Sequence, residues 1–266
     1  MTVFSNDALI GEHILITGAT GGIGYEAAKE AVRTGAHITI TGRNEEKLES
    51  LKEECKKLNS EVEVFVGPAD INSEDDRKQL VQNAKESIGP ITGLVNSAGI
   101  GGGAPLEDLT EEQLRKPMEL NYFSTVLLTQ EVYKDMKEQR RGSIVNLSSL
   151  SGLRGTHSNI AYSSSKFAVI GFTQSLAIEA IEYNVRVNAI CPGFVDTSMG
   201  RQAIANIGKR EGRSYEKQRQ ISEEALPSGR ISTPEEVARS IIYLLTDACE
   251  NIVGESLKIS GGGVMR

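Results

Sequence analysis

At 266 residues the chain is within reach of a single α/β core, and no linker rich in Pro, Ser or Gly divides it. A formal net charge of −7 argues against nonspecific nucleic-acid binding, which needs a dominant basic surface, so no DNA or RNA partner is expected. Cys55, Cys191 and Cys249 are odd in number and far apart, which leaves neither a disulfide framework nor a Cys-x-x-Cys metal site and predicts reduced core thiols.

The opening stretch, Met1 to Asp7, lacks a basic start and a sustained apolar run, and no later segment reaches membrane-spanning length. A soluble cytoplasmic protein without a membrane partner is the expectation. Short β-rich runs follow near 13–17, 36–41, 61–66, 91–96, 143–148, 185–190 and 256–260, with helical patterns between most of them. This alternation predicts an α/β fold: a doubly wound, mostly parallel sheet with helices on both faces, in one domain spanning 1–266. The polar region near 198–225 interrupts the rhythm and reads as a lid. In such a sheet ligands bind beyond the carboxyl ends of the strands.

The candidate chemistry lies at those ends. Strand one opens into Gly18-Ala-Thr-Gly-Gly-Ile-Gly24, where Gly18, Gly22 and Gly24 permit a tight turn and bring backbone N–H groups, at a helix N-terminus, against a pyrophosphate. The spacing Gly-x-x-x-Gly-x-Gly after a threonine is a dinucleotide-binding variant rather than Gly-x-Gly-x-x-Gly. Strand two ends in Gly42-Arg43. An acid there would hold ribose hydroxyls and repel a 2′-phosphate; a guanidinium can grip that phosphate, although an exposed arginine at a helix start would look the same. NADP(H) is therefore the preferred cofactor and NAD(H) the alternative. Tyr162 and Lys166, four apart on a helix, share one face. A cation beside a phenol of ordinary pKa near ~10 favours the phenolate and suggests proton transfer, while Tyr-x-x-x-Lys alone is also an ordinary amphipathic face. His13, His37 and His157 are scattered and have no partner carboxylates or histidines nearby in the sequence, so no metal is expected.

In chain order these motifs stand with Asn96-Ser-Ala-Gly99, Asn121, Ile144-Val-Asn-Leu-Ser-Ser149 and Cys191-Pro-Gly-Phe-Val-Asp-Thr197. That order resembles the short-chain dehydrogenase/reductase family over about Ile10 to Gly263. The resemblance implies a Rossmann fold of seven strands and a catalytic set of Asn121, Ser149, Tyr162 and Lys166. Ser149 would hold the substrate carbonyl oxygen, Tyr162 would donate the proton, Lys166 would bind the nicotinamide ribose and keep the tyrosine acidic, and the backbone at Asn121 would support a relay water. Ser149 is preferred to Ser148 because it precedes Tyr162 by the family gap, and Ser148 would point to the opposite face of an extended segment. The cofactor would be held by Gly18, Thr20, Gly22, Ile23, Gly24, Arg43, Asp70, Ile71, Asn96, Ala98, Gly99, Tyr162, Lys166, Pro192, Gly193, Val195 and Thr197. Asp70 and Ile71 match the adenine positions, and Thr197 the carboxamide position; Ser97 departs mildly from the usual Asn-Asn-Ala-Gly.

Within the family the chain looks most like 3-oxoacyl-carrier-protein reductases and aromatic polyketide ketoreductases. An NADPH-dependent reduction of a β-ketoacyl or polyketide-type ketone follows as the expectation, with the substrate free or bound to an acyl carrier protein. Two alternatives stand beside it: a dehydrogenase of a small secondary alcohol, hydroxy acid or sugar, and a non-catalytic NADP-sensing protein. Gly101 to Gly103 would leave room for a bulky substrate. The lid carries Arg201, Lys209, Arg210, Arg213, Lys217 and Arg219, which would attract an acidic carrier unless the interleaved glutamates merely keep it solvated. A homotetramer is implied, pairing through helices at about Glu111–Gln139 and Ile160–Tyr183.

Overall fold

The computed structural model describes residues 3–265; Met1 and Thr2 of the opening stretch, and Arg266 at the end of the expected domain, lie outside the described residues. Seven strands form one sheet: β1 (His13–Thr17), β2 (His37–Gly42), β3 (Val64–Pro68), β4 (Gly93–Asn96), β5 (Gly142–Leu147), β6 (Val185–Pro192) and β7 (Ser256–Ile259). Their order is β3-β2-β1-β4-β5-β6-β7, and every neighbouring pair is parallel. The order reverses between β1 and β4, which opens the crevice where such sheets bind ligands.

Strand periodicity explains the two layers. In β1, Ile14 and Ile16 face one core with α1 (Gly22–Arg33), α2 (Glu45–Leu58) and α9 (Pro234–Leu245). Leu15 faces the other, with α3 (Glu74–Ile88), α5 (Ser124–Gln139) and α6 (Ile160–Ala180). Burial on both sides accounts for the near-continuous apolar runs of the strands. The expected doubly wound, helix-covered sheet is the one observed, and its strands lie within a few residues of the predicted positions.

Two local features were not predicted. Between α4 (Glu111–Met118) and α5 the helix widens into a π turn at Glu119–Phe123, where the Ser124 N–H reaches back to the Glu119 carbonyl. Pro117, just upstream, has no N–H to give to the regular ladder. The polar region after β6 is a pair of helices, α7 (Ser198–Arg210) and α8 (Tyr215–Glu224), capped by Thr197 and Ser214 and packed on one another. Among the described residues no helix is long and apolar enough to cross a membrane.

Candidate active site

A cleft of about 750 Å³ lies at the carboxyl ends of the strands. Its floor is the turn from β1 into α1. Glycine is required there by close approach: a Cβ on Gly18 would sit 2.8 Å from the Ala98 backbone, and one on Gly24 would sit 2.5 Å from the Gly18 carbonyl oxygen. Gly18 also has φ +63, which L side chains rarely adopt. Helix α1 is preceded by Gly21, which offers it no side-chain cap, whereas Asn44, Ser73, Thr197 and Thr233 cap other helices. The first N–H groups of α1 are thus left for an anion, and the bare glycine cradle fits the pyrophosphate of a nicotinamide dinucleotide. The hydroxyl of Thr41, which also lines the cleft, is buried without a partner among the described residues.

Most of the expected cofactor residues line this cleft: Gly18, Thr20, Gly22, Ile23 and Gly24 on the floor, Arg43, Asp70 and Ile71 at one end, Ala98 and Gly99 after β4, and Pro192, Gly193, Val195 and Thr197 after β6. Asn96 is the exception. Its amide is buried, donating to Asn146 Oδ1 at 2.8 Å and Thr129 Oγ1 at 2.9 Å, so the side chain braces β4 against β5 and α5 and does not line the cleft. Thr17 does related work that the sequence reading passed over: its Oγ1 accepts from the N–H of both Ser97 and Ala98 at 3.0 Å and fixes the chain after β4. Asp70 Oδ1 accepts from the Asn72 N–H at 3.1 Å, and the α3 cap is Ser73.

Ser149, Tyr162 and Lys166 meet on the opposite wall. Ser149 leaves β5 in an extended conformation with its hydroxyl beside the Tyr162 phenol, and its Oγ accepts from the Ser151 N–H at 3.1 Å. The Ser148 hydroxyl instead donates to the Lys166 carbonyl at 3.0 Å, clamping β5 to α6. Lys166 is buried, and its Nζ donates to the Leu147 carbonyl at 2.6 Å, 5.8 Å from the centre of the Tyr162 ring. Asn121 stands in the π turn, one layer behind the cleft. Its amide accepts from the Ile100 N–H at 2.8 Å and donates to the Ile100 carbonyl at 3.0 Å and Ser165 Oγ at 2.9 Å, tying the loop after β4 to α6.

Electrostatics at this wall correct one expectation. Burial raises the Tyr162 pKa above its ordinary value, and the Ser149 hydroxyl only opposes that rise; the ammonium, held to Leu147, does not draw the phenol toward neutrality. Burial also pulls Lys166 down to about 8, so its charge is not permanent in this setting. Cys191, behind the pair, is pushed up to about 11 by burial and stays a thiol.

The substrate side of the cleft carries two further differences. Gly103 does not provide room, because a Cβ there would lie 2.3 Å from the Ser158 carbonyl oxygen. The lid arginines are not free charges: Asp196 pairs with Arg201 at 2.7 Å and with Arg219 at 2.9 Å, Arg219 also pairs with Glu223, and Arg210 and Arg213 both face Glu211.

Comparison with known proteins agrees with this geometry. The 3-oxoacyl-[acyl-carrier-protein] reductase FabG of Thermotoga maritima is 35% identical over 257 residues, which cover 97% of this chain and 99% of that protein. A crystal structure of an actinorhodin polyketide ketoreductase variant with NADPH superposes with a TM-score of 0.91 at 32% identity, covering 95% of this chain and 97% of that one. An NAD+-bound xylitol dehydrogenase does so with a TM-score of 0.90 at 28% identity, covering 96% and 99%. Residues 12–208 match the short chain dehydrogenase family, and with the glycine cradle, the Ser149–Tyr162 contact and the buried Lys166 in one cleft, the chain belongs to that family and is an oxidoreductase of the ketone/alcohol class.

Proposed function

We propose that the protein is an NADPH-dependent reductase that converts a β-ketoacyl or polyketide-type ketone to a secondary alcohol, with residues 1–266 as one catalytic domain and 198–225 as its lid. The observation that carries the chemistry is that Ser149, Tyr162 and the buried Lys166 line one cleft with the glycine cradle, the Ser149 hydroxyl beside the Tyr162 phenol. A bound reduced nicotinamide supplies the hydride to the carbonyl carbon. Ser149 holds the carbonyl oxygen, and Tyr162, kept protonated by its surroundings, gives its proton to that oxygen as negative charge develops there. Lys166 holds the nicotinamide ribose. Asn121 positions the loop at Ile100 and, through Ser165, the helix that bears Tyr162 and Lys166.

The preference for NADPH rests on Arg43, which lines the cleft, is exposed, and has no hydrogen bond or ion pair among the described residues. The preference for a β-ketoacyl group rests on similarity to the FabG and polyketide ketoreductase relatives and on a wall of Leu150, Phe194, Met199 and Ile221. Similarity to the xylitol dehydrogenase supports a second reading, a dehydrogenase of small secondary alcohols, hydroxy acids or sugars. A panel of carbonyls and alcohols, run in both directions with NADPH and NADH and followed at the nicotinamide absorbance band, separates the two. Absence of any turnover would favour the cofactor-sensing alternative and refute the reading.

Assembly is part of the proposal. Leu114, Phe123 and Leu127 are exposed on the α4–α5 helix, and Ile160, Phe167 and Ile178 on α6. Apolar side chains on these two helices fit a homotetramer paired through them. Light scattering that returned a monomer at micromolar concentration would reject it.

A further inference from the structure

Among the described residues, the charged ones lining the cleft are Arg43, Asp70, Lys166 and Arg154. Arg43 and Asp70 follow β2 and β3, beside the glycine cradle, and Lys166 is held by the Leu147 carbonyl. Of these four, Arg154 belongs to the substrate side, in the segment between β5 and α6 that joins Ser149 to Tyr162. Among the described residues its guanidinium has no hydrogen bond and no ion pair, and no carboxylate lines that half of the cleft. Exposed arginines elsewhere differ: Arg115, Arg141, Arg201 and Arg230 each pair with a carboxylate.

The backbone beneath Arg154 is firmly held. The turn begun by Ser149 runs through Gly152 N–H to the Ser149 carbonyl at 2.9 Å and Leu153 N–H to the Leu150 carbonyl at 3.0 Å, and closes with Arg154 N–H to the Leu150 carbonyl at 3.1 Å. That turn is pressed on α6 so closely that a Cβ on Gly152 would lie 2.5 Å from Ser148 Oγ and 2.6 Å from the Lys166 carbonyl oxygen. Beyond it, Thr156 accepts from Asn159 Nδ2 at 3.1 Å and lies 3.4 Å from Ser163 Oγ. One rigid turn thus presents both the Ser149 hydroxyl and an unpartnered guanidinium to the same cleft, in a chain whose net charge is −7.

We propose that Arg154 is a specificity-determining residue that binds an anionic oxygen group of the substrate, a carboxylate or a phosphoryl group, while the ketone sits at Ser149 and Tyr162. A planar fork of five donors suits either anion, and a charge-assisted hydrogen bond is strong enough to dominate the choice between an anionic ketone and its neutral analogue. The inference rests on the site assignment under Proposed function and adds the substrate's charge to it.

Two matched pairs test it and separate the sources of the anion: acetoacetate with methyl acetoacetate, and acetoacetyl-CoA with acetoacetyl-N-acetylcysteamine. For each pair the ratio of kcat/KM, anionic over neutral, is measured in the parent, in Arg154→Gln and in Arg154→Lys. The expected result is a fall of roughly tenfold or more in one ratio for Arg154→Gln, carried mainly by KM, with partial return in Arg154→Lys. A fall in the first pair assigns a free carboxylate, and a fall in the second assigns a phosphoryl group. Ratios that stay at the parent values in both pairs overturn the proposal. If the parent reduces none of the four, the β-ketoacyl reading fails by itself, and Arg154 is judged by thermal shift with malonate and inorganic phosphate. A midpoint rise that Arg154→Gln abolishes upholds the anion site, and no rise removes it.

Discussion

Cofactor preference is set at the end of β2, and a double substitution there, Gly42→Asp with Arg43→Ser, should invert it. Arg43 is exposed and unpaired among the described residues, so its loss breaks no internal contact. A Cβ at Gly42 would lie 3.2 Å from Thr20 Oγ1 and 3.3 Å from Thr20 Cγ2, so the threonine must give by tenths of an ångström, at a cost to stability of about 1 kcal/mol. Removing a charge-assisted hydrogen bond to a 2′-phosphate forfeits about 1.5–3 kcal/mol. The new carboxylate adds repulsion of about 1 kcal/mol at ~4 Å in water-like surroundings, the appropriate limit for this open rim. Together these amount to about 2.5–4 kcal/mol, or roughly two to three decades in the NADPH/NADH ratio of kcat/KM. The assay is that ratio, measured on one ketone with parent and variant, with the unfolding midpoint as control. Equal efficiency of the parent with both cofactors, or a well-folded variant that keeps the parent's preference, would refute the reasoning.

Three further outcomes are expected. Because burial pulls Lys166 down to about 8, kcat/KM for NADPH should decline as pH rises past that value, and Lys166→Ala should lose cofactor affinity and turnover together; a profile flat through the alkaline range would contradict the assignment. His13 is buried between the Gly89 carbonyl and Thr39 Oγ1, each at 2.8 Å, and burial, with some help from His37, lowers its pKa below 6.5. The unfolded chain therefore binds a proton that the fold does not, so stability should fall as pH drops below ~6.5, more steeply in the parent than in His13→Gln, by urea unfolding. Equal slopes would exclude His13 as the cause. Since Glu211 already faces Arg210 and Arg213, an Arg210→Glu/Arg213→Glu variant should change kcat/KM in parallel for a carrier-bound substrate and its free thioester. A selective, salt-sensitive loss with the carrier-bound form would restore the lid as a docking surface.

Much of the fold was legible because the strands are buried on both faces, so runs such as Ile14 to Ile16 announce themselves by composition alone. The glycine turn was legible for a similar reason: crowding of backbone on backbone at Gly18 and Gly24 admits no other residue. What escaped depends on contacts between distant segments. Asn96 sits in a motif associated with cofactor binding, yet its partners are Asn146 and Thr129, on β5 and α5. The ion pair of Asp196 with Arg219 joins a residue of the Cys191–Thr197 motif to a lid charge that the sequence sets only among neighbouring lid glutamates. The direction of the Tyr162 pKa was misread because helical spacing places Lys166 on the same face but says nothing of the Leu147 carbonyl that holds it. Arg154 drew no attention, since a lone arginine in a loop has no pattern until its lack of a partner among the described residues is visible.

The central claim is that Tyr162 is the proton donor of a β-ketoacyl reduction, and NADPH consumption by the parent and by Tyr162→Phe on acetoacetyl-N-acetylcysteamine tests it most directly. The account predicts formation of the 3-hydroxy thioester by the parent, a fall in kcat of about 10²–10⁴ in the variant, and an NADPH dissociation constant that is little changed. Near-normal turnover by Tyr162→Phe, or a parent that leaves the thioester untouched, would contradict it.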